Sequence, residues 1–237
     1  MLEAAFWGLV GGIALLIGAW LEFAARPRRR IVAYVMAFGS GVLISAVAYD
    51  LTAEAFDLGG GDAVGIGLAA GAIVYAGLST LIDRRGAGGE EQAIGRGLAL
   101  GALLDGVPES AAIGITLTGG GAVSIAFVTA VFLSNLPEAI SASSELERAG
   151  AGRRSILAIW VAIALASAVA AALGYEWLGG GSEDIQAATK SFAGGAILAM
   201  LATEMMPEAF EESGKSATVG LATVLGFALA AFLTAIA

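Results

Sequence analysis

The stretch FGSGVLISAVAYDLTAEAF at 38–56 occurs a second time, with changes, as FAGGAILAMLATEMMPEAF at 192–210. The two align without a gap at an offset of 154 residues, which superimposes their first phenylalanines and their Glu-Ala-Phe ends. Each copy places two acids four residues apart in an otherwise apolar segment. The chain therefore contains an internal repeat, and the repeat carries acids where apolar residues are expected.

The composition indicates a membrane protein. Hydrophobic residues make up 58% of the 237 positions and charged residues 14%, and the mean hydropathy is +0.85. Soluble domains are about a quarter charged. The apolar runs are long enough to cross a bilayer, and they are continuous rather than alternating, which predicts helices and not barrel strands. Eight spans are predicted, at roughly 4–25, 31–56, 63–82, 95–118, 122–146, 155–178, 186–210 and 216–237.

The basic residues predict the orientation of these spans. All of them except Lys190 fall in four alternate connections, which the positive-inside rule assigns to the cytoplasm. They are Arg26, Arg28, Arg29, Arg30, Arg84, Arg85, Arg96, Arg148, Arg153, Arg154 and Lys215. The other three connections each contain a glycine triplet, at 59–61, 119–121 and 179–181. Both termini are therefore expected outside the cytoplasmic membrane.

Spans two and seven, which hold the repeated stretch, are five spans apart and so cross the bilayer in opposite directions. This is the pattern of an inverted repeat. We expect one transmembrane domain over 1–237, with a first repeat at 1–85, a central helix pair at 95–146 and an inverted second repeat at 155–237. Transporters built in this way bind substrate near the bilayer midplane, on helices interrupted by Gly or Pro.

The central pair shows a related match. DGVPESAA at 105–112 aligns with SNLPEAIS at 134–141, which places two Pro-Glu dipeptides on each other in neighbouring antiparallel helices. Proline lacks an N–H group, so the carbonyl four residues before it loses its helical hydrogen bond. Each helix therefore offers a carboxylate beside a free carbonyl. Ser134 and Asn135 add neutral oxygen atoms one turn before the second glutamate.

Seven acids lie in apolar surroundings in the predicted spans. An acid at the centre of a transmembrane helix costs roughly 3 kcal/mol, so such residues usually face a bundle interior or an ion pathway. No basic residue is predicted in the membrane core, which makes a cation the expected partner. The seven are Asp50, Glu54, Asp105, Glu109, Glu138, Glu204 and Glu208. A structural interpretation also exists, in which the prolines are ordinary kinks and Glu54 and Glu208 reach interfacial water.

The chain contains no cysteine and no histidine. A metal site must therefore use oxygen atoms or methionine sulfur. An intramembrane hydrolase is not favoured, because acids at i and i+4 of one helix do not form the paired arrangement that such chemistry requires. We therefore expect a protein that is not an enzyme.

These features resemble the ZIP family of divalent metal transporters, which have eight spans in a 3+2+3 inverted-repeat arrangement. That family carries a His-Asn-x-Pro-Glu-Gly motif in its fourth span and a related Asn-x-Pro-Glu-Gly motif in its fifth. The corresponding stretches here are DGVPES and SNLPEA. The seventh span is similar to the family's Gly-Gly…Asp-Glu-x-x-Pro-Glu-Ala segment, so the resemblance covers essentially the whole chain.

The resemblance implies a metal site of Asp105, Glu109, Ser134, Asn135 and Glu138. Asp105 stands where the family has histidine, and the glutamate that the sixth span supplies in many members is absent. Family membership implies Zn²⁺, Fe²⁺, Mn²⁺ or Cd²⁺ as the transported substrate, whereas an all-oxygen ligand set favours harder ions such as Mn²⁺, Mg²⁺ or Ca²⁺. Asp50, Glu54, Glu204 and Glu208 would line a pathway or a secondary site.

The sequence therefore predicts transport of divalent metal cations by alternating access. Two alternatives stay open: a metal-binding membrane receptor or scaffold without flux, and a proton-coupled carrier of organic cations. The expected partners are the metal substrate and the lipid bilayer, with no nucleic acid. The resemblance also suggests a homodimer.

Overall fold

The computed structural model of the protein describes residues 1–86, 91–117, 124–178 and 182–236. Within these ranges every regular element is helical, which confirms the predicted fold class at this level. The helices are α1 (Leu2–Ala25), α2 (Arg29–Ala46), α3 (Glu54–Gly86), α4 (Glu91–Thr116), α5 (Ile125–Arg148), α6 (Arg153–Leu173), α7 (Glu183–Met200), α8 (Met206–Glu212) and α9 (Thr218–Ile236). Wider π-helical turns occupy Val47–Ala53, Gly174–Leu178 and Leu201–Met205.

Six helical segments among the described residues are long and apolar enough to cross a membrane. Large apolar side chains on their outer faces, such as Ile73 and Phe232, are strongly exposed, as expected for surfaces in contact with lipid. The segments are Leu2–Ala25, Arg29–Ile82, Ile125–Arg148, Arg153–Glu176, Glu183–Glu212 and Thr218–Ala235. Their number and character are those of a membrane protein.

The chain from α2 to α3 differs from the sequence prediction. A connection was expected between spans ending at 56 and beginning at 63, but this stretch is helical except at Gly60. Gly60 has φ 68° and ψ −176°, a conformation that only a residue without a Cβ adopts readily. The glycine triplet therefore breaks a helix at one residue instead of forming a loop. The other two triplets, at 119–121 and 179–181, lie outside the described residues.

The helices pack in two groups. The first group consists of α1, α4, α5 and α6, in which α1 packs on α5 and α6, and α4 packs on α6. The second group consists of α2, α3, α7, α8 and α9, in which α3 packs along α7, and α2 packs along α9. Contacts between the groups join α2 to α5, and join α3 and α7 to α4.

Glycines allow very close approach at the helix pairs within each group. A methyl group on Gly41 of α2 would lie 1.9 Å from the carbonyl oxygen of Thr223 of α9, and one on Gly226 of α9 would lie 2.1 Å from the carbonyl oxygen of Phe38. Each glycine thus packs against the backbone of the partner helix. The residue that it contacts lies three positions before the glycine of that partner helix. Small residues at such contacts let backbones meet, as in membrane helix dimers.

The same reciprocal contact recurs in two further pairs. Gly71 of α3 and Gly195 of α7 would meet the carbonyl oxygens of Phe192 and Leu68, at 1.9 and 2.1 Å. Gly114 of α4 and Gly174 would meet those of Ala171 and Ala111, at 1.9 and 2.4 Å. Three helix pairs therefore share one type of contact, in which the backbones lie so close that there is no room for a side chain between them.

Replacing Gly226 with alanine is expected to separate α9 from α2 and to destabilise the fold. The added methyl would overlap a backbone carbonyl, and overpacking of this kind costs roughly 1–3 kcal/mol. The matched control is Gly220→Ala in the same helix, where a methyl group meets no atom within 4 Å. Thermal unfolding in detergent should show a lower midpoint for G226A and an unchanged or higher midpoint for G220A. Equal midpoints for the two variants would contradict this packing.

Candidate cation site

Five of the seven predicted intramembrane acids come together in the structure. Asp105 and Glu109 of α4 are buried, with exposures of 7% and 1%. Glu138 of α5 is half-buried and lies within electrostatic range of both, and of Glu204 and Glu208 from the α7–α8 segment. Like charges this close repel each other, so the cluster requires cations, protons or hydroxyl partners.

A hydroxyl group of α5 contacts an acid of α4, and an amide group of α5 contacts α1. Ser134 Oγ lies 2.9 Å from the carbonyl oxygen of Val131 and 3.3 Å from Glu109 Oε1, and Asn135 Nδ2 donates to the carbonyl oxygen of Gly11 at 3.1 Å. Ser134 and Asn135 are both buried. Within the described residues, the remaining oxygens Glu109 Oε2 and Asn135 Oδ1 are buried without a hydrogen-bond partner. Unpaired buried oxygens are costly and call for a ligand.

Tyr75 of α3 also contacts the acid cluster, although no sequence pattern points to it. Its hydroxyl oxygen lies 2.6 Å from Asp105 Oδ1 and 2.5 Å from Glu204 Oε1, and its side chain is 2% exposed. Ser79, one turn later, also donates to Glu204 Oε1 at 3.1 Å. A phenol has one hydrogen and an ionised carboxylate only accepts. Both short contacts of Tyr75 therefore require a proton on one of the two carboxyl groups.

Glu208 continues the acid cluster towards the end of the bundle where α1 meets α2. Its carboxylate accepts a hydrogen bond from Ser141 of α5. It also lines a cavity of about 460 Å³, which is bordered by Glu22, Arg26, Arg29, Glu147 and Glu212. This cavity connects the acid cluster with the side of the molecule that carries the arginines.

Asp50 and Glu54 have other partners, away from Glu138. Asp50 Oδ2 accepts from Ser124 Oγ at 2.8 Å. Glu54 forms an ion pair with Lys190, whose side chain is only 1% exposed. The expectation that no basic residue lies in the core is therefore wrong at this position. The repeated acid pairs differ, because Lys190 compensates the first pair and no lysine accompanies the second among the described residues.

The carbonyl released by Pro137 does not face the acids. The carbonyl oxygen of Leu133 points at α2, where a methyl group on Gly39 would lie 3.0 Å from it. Pro207 is the second residue of α8, and the backbone before it, at Met205 and Met206, is already helical.

The described acids do not surround a single point in this conformation: no three of them are arranged to hold one metal ion. Each of three acids contacts a hydroxyl group instead. Glu109 contacts Ser134, Asp105 contacts Tyr75, and Glu208 contacts Ser141. A bound cation would have to draw carboxylates away from these hydroxyls. The donors present are oxygen atoms, which suit hard or borderline divalent ions.

No protein-family model matches this chain, and a search of characterised proteins finds no relative.

Substituting Tyr75 with phenylalanine is expected to destabilise the protein in the absence of metal ions. The ring remains, but Asp105 and Glu204 lose the hydroxyl between them, and an unpaired buried polar group costs roughly 1–3 kcal/mol. Tyr49→Phe is the control, because Tyr49 is 47% exposed and contacts Phe227 through its ring. A midpoint of thermal unfolding that falls for Y75F and not for Y49F supports the bridge. Identical midpoints would rule the bridge out.

Proposed function

We propose that the protein is a transporter of divalent metal cations, with Glu109, Glu138, Asp105, Asn135 and Ser134 as the ion-binding residues. The observation that carries the proposal is the meeting of two buried carboxylates of α4 with half-buried ones of α5 and the α7–α8 segment, at a site with two unpaired buried oxygens. Acids inside a membrane bundle generally mark an ion pathway. Cations are the ligands that satisfy carboxylate and amide oxygens together.

The ligand chemistry favours a divalent ion that accepts oxygen donors. Glu109 Oε2 and Asn135 Oδ1 supply acceptors with no hydrogen of their own, as a metal ion requires. Asp105 supplies a carboxylate where ZIP transporters have histidine, so we propose broad specificity among Mn²⁺, Zn²⁺, Fe²⁺ and Cd²⁺. On α6, Ser167 is buried with an unpaired Oγ, and a methyl group on Gly106 would lie 3.6 Å from it. This neutral hydroxyl takes the place of an α6 carboxylate.

The architecture we propose is that of the ZIP family, with eight crossings and both termini outside the cytoplasmic membrane. The 54-residue segment Arg29–Ile82 would measure about 80 Å as a straight helix, far more than a bilayer core of about 30 Å. The break at Gly60 would allow it to form two crossings. We count α4 as a further crossing, although its acids make it less apolar than the other segments. The number of crossings is then eight.

An inverted repeat is supported by the pattern of helix contacts. The repeat pairs α1 with α6, α2 with α7, α3 with α9 and α4 with α5. When the members of each pair are exchanged, two helices in contact are replaced by two others that are also in contact. The pair α2–α9 becomes α7–α3, α1–α5 becomes α6–α4, and α2–α5 becomes α7–α4. The π-helical turns also correspond, because Val47 and Leu201 begin them at the repeat offset of 154 residues.

Transport would proceed by movement of the first helix group against the second. The proposed ligands Glu109, Asn135 and Glu138 all belong to the first group. Three hydroxyl–carboxylate hydrogen bonds cross the boundary between the groups: Tyr75 to Asp105, Ser141 to Glu208 and Ser124 to Asp50. Such bonds exchange readily, so the boundary can open towards the outside or the cytoplasm. Glu204 and Glu208 would pass the ion on towards the cavity beside Glu208.

The proposal predicts that Glu109→Gln and Glu138→Gln each abolish Mn²⁺ and Zn²⁺ uptake by proteoliposomes. Glutamine keeps the size of the side chain but removes its charge. Loss of a residue that only supports a metal ligand lowers activity roughly 10- to 100-fold, so the uptake rate should fall by more than this when a ligand itself is lost. The control is Glu211→Gln, because Glu211 pairs with Lys215 at the surface. Unchanged circular dichroism would establish that the variants fold.

The outcomes separate the alternatives. Wild-type uptake in E109Q or E138Q would overturn the assignment of the site. Metal binding by the wild-type protein without flux would favour a receptor or scaffold. Uptake of an organic cation that Mn²⁺ and Zn²⁺ do not inhibit would favour an organic-cation carrier.

A further inference from the structure

The four arginines at the end of α1 and the start of α2 fall into two pairs with different surroundings. Arg26 Nη2 lies 3.0 Å from Glu147 Oε2, and Arg29 forms an ion pair with Glu212. Arg28 and Arg30 are exposed and form no ion pair with any acid that the structure describes. Two guanidinium groups at one end of α2 are thus left without a compensating carboxylate.

Both of these arginines line a groove on the outer surface of α2 and α9. The groove has a volume of about 520 Å³ and almost no polar surface, so Arg28 and Arg30 line it with the aliphatic parts of their side chains. Ile31, Val35 and Phe38 of α2 form one wall, and Ala222 and Leu225 of α9 form the other. The aliphatic stems of two exposed arginines therefore line one end of an apolar trough.

The dimensions and position of the groove fit one leaflet of a bilayer. From Ile31 to Phe38 the helix rises about 10 Å, and one leaflet of the hydrocarbon core is about 15 Å thick. Tyr34 lines the groove near its charged end, where its hydroxyl contacts Thr218 and Arg30. Tyrosines of membrane proteins concentrate at the interface between headgroups and hydrocarbon. The two arginines therefore lie at the depth of lipid headgroups.

We propose that this groove binds an anionic phospholipid. Arg28 and Arg30 hold the phosphate group, and an acyl chain lies along Ile31, Val35 and Phe38 against α9. Charge complementarity decides the occupant, because two uncompensated arginines favour a net negative headgroup over a zwitterionic one. The apolar trough requires a hydrocarbon chain, which a free phosphate ion lacks.

The lipid would support the most weakly packed helix. Only 17% of the apolar window of α9 is buried, and α9 packs mainly on α2, at the Gly41–Gly226 contact. An acyl chain in the groove adds contacts to both helices on the headgroup side of this glycine pair. The proposal depends on the chain lying in a membrane and is independent of any metal transport.

The test compares three additives with protein purified in a neutral detergent: phosphatidylglycerol, phosphatidylcholine and sn-glycerol 3-phosphate. Native mass spectrometry counts bound lipid, and thermal unfolding reports its effect. Phosphatidylglycerol is expected to stay bound and to raise the midpoint of the wild-type protein. Phosphatidylcholine should do so weakly, and glycerol phosphate should have no effect because it has no acyl chain.

Two variants test the two parts of the site separately. The double substitution R28Q/R30Q should bind phosphatidylglycerol about thirtyfold more weakly, since each interfacial basic residue contributes to the attraction. Its control is Arg154→Gln, an exposed arginine at the start of α6 that does not line the groove. Val35→Trp fills the groove and should reduce binding while both arginines remain.

Three results would overturn the proposal. Equal binding of phosphatidylglycerol by R28Q/R30Q and R154Q would show that the arginines do not select the headgroup. Unchanged binding in V35W would show that the chain does not lie in the groove. Stabilisation by glycerol phosphate equal to that by phosphatidylglycerol would indicate a simple anion site.

Discussion

Carboxylates buried inside an apolar bundle must each find a partner, and the arrangement of this protein follows from that requirement. An unpartnered ionised acid in such surroundings costs several kcal/mol, more than single packing contacts return. Glu109 turns to Ser134, Asp105 and Glu204 to Tyr75, and Glu208 to Ser141. Neutral hydroxyls thus hydrogen-bond to these acids, the Tyr75 bridge requires one proton, and no basic residue that the structure describes forms an ion pair with them. A site of this kind is ready for a cation, because exchanging a hydroxyl for a metal ion supplies the charge that the hydroxyl lacks.

The glycine contacts determine where the bundle is firm and where it can move. Within each group, helices meet backbone to backbone at Gly41–Gly226, Gly71–Gly195 and Gly114–Gly174. The polar contacts named above between the groups are hydrogen bonds from hydroxyls to carboxylates, at the acids themselves. Close-packed backbones do not slide, whereas hydroxyl–carboxylate bonds exchange partners at small cost. The acids therefore lie at the boundary between the two groups, along which we propose that movement occurs.

Much of this organisation can be predicted from the sequence, and the exceptions have physical causes. Hydrophobic runs predict the helices, and the spacing of Pro-Glu dipeptides predicts that α4 and α5 carry the central acids. Tyr75 escaped prediction because a tyrosine in an apolar helix gives no periodic signal; only the fold brings it to Asp105 from α3. Lys190 falls near the start of the predicted span at 186–210, yet its long side chain is buried and reaches Glu54. A loop was expected at Gly60, because a glycine triplet indicates that the chain can turn there. The triplet does not indicate that a single residue is enough for the turn.

We propose that the carboxylates of α4 and α5 hold one divalent cation. Anomalous diffraction from crystals grown with Mn²⁺ would locate the ion without reference to transport. We expect an anomalous peak within coordination distance of Glu109 and Glu138, with Asp105 turned away from Tyr75, and no such peak in E109Q. A peak confined to surface acids, or the same central peak in E109Q, would show that these carboxylates do not hold the ion.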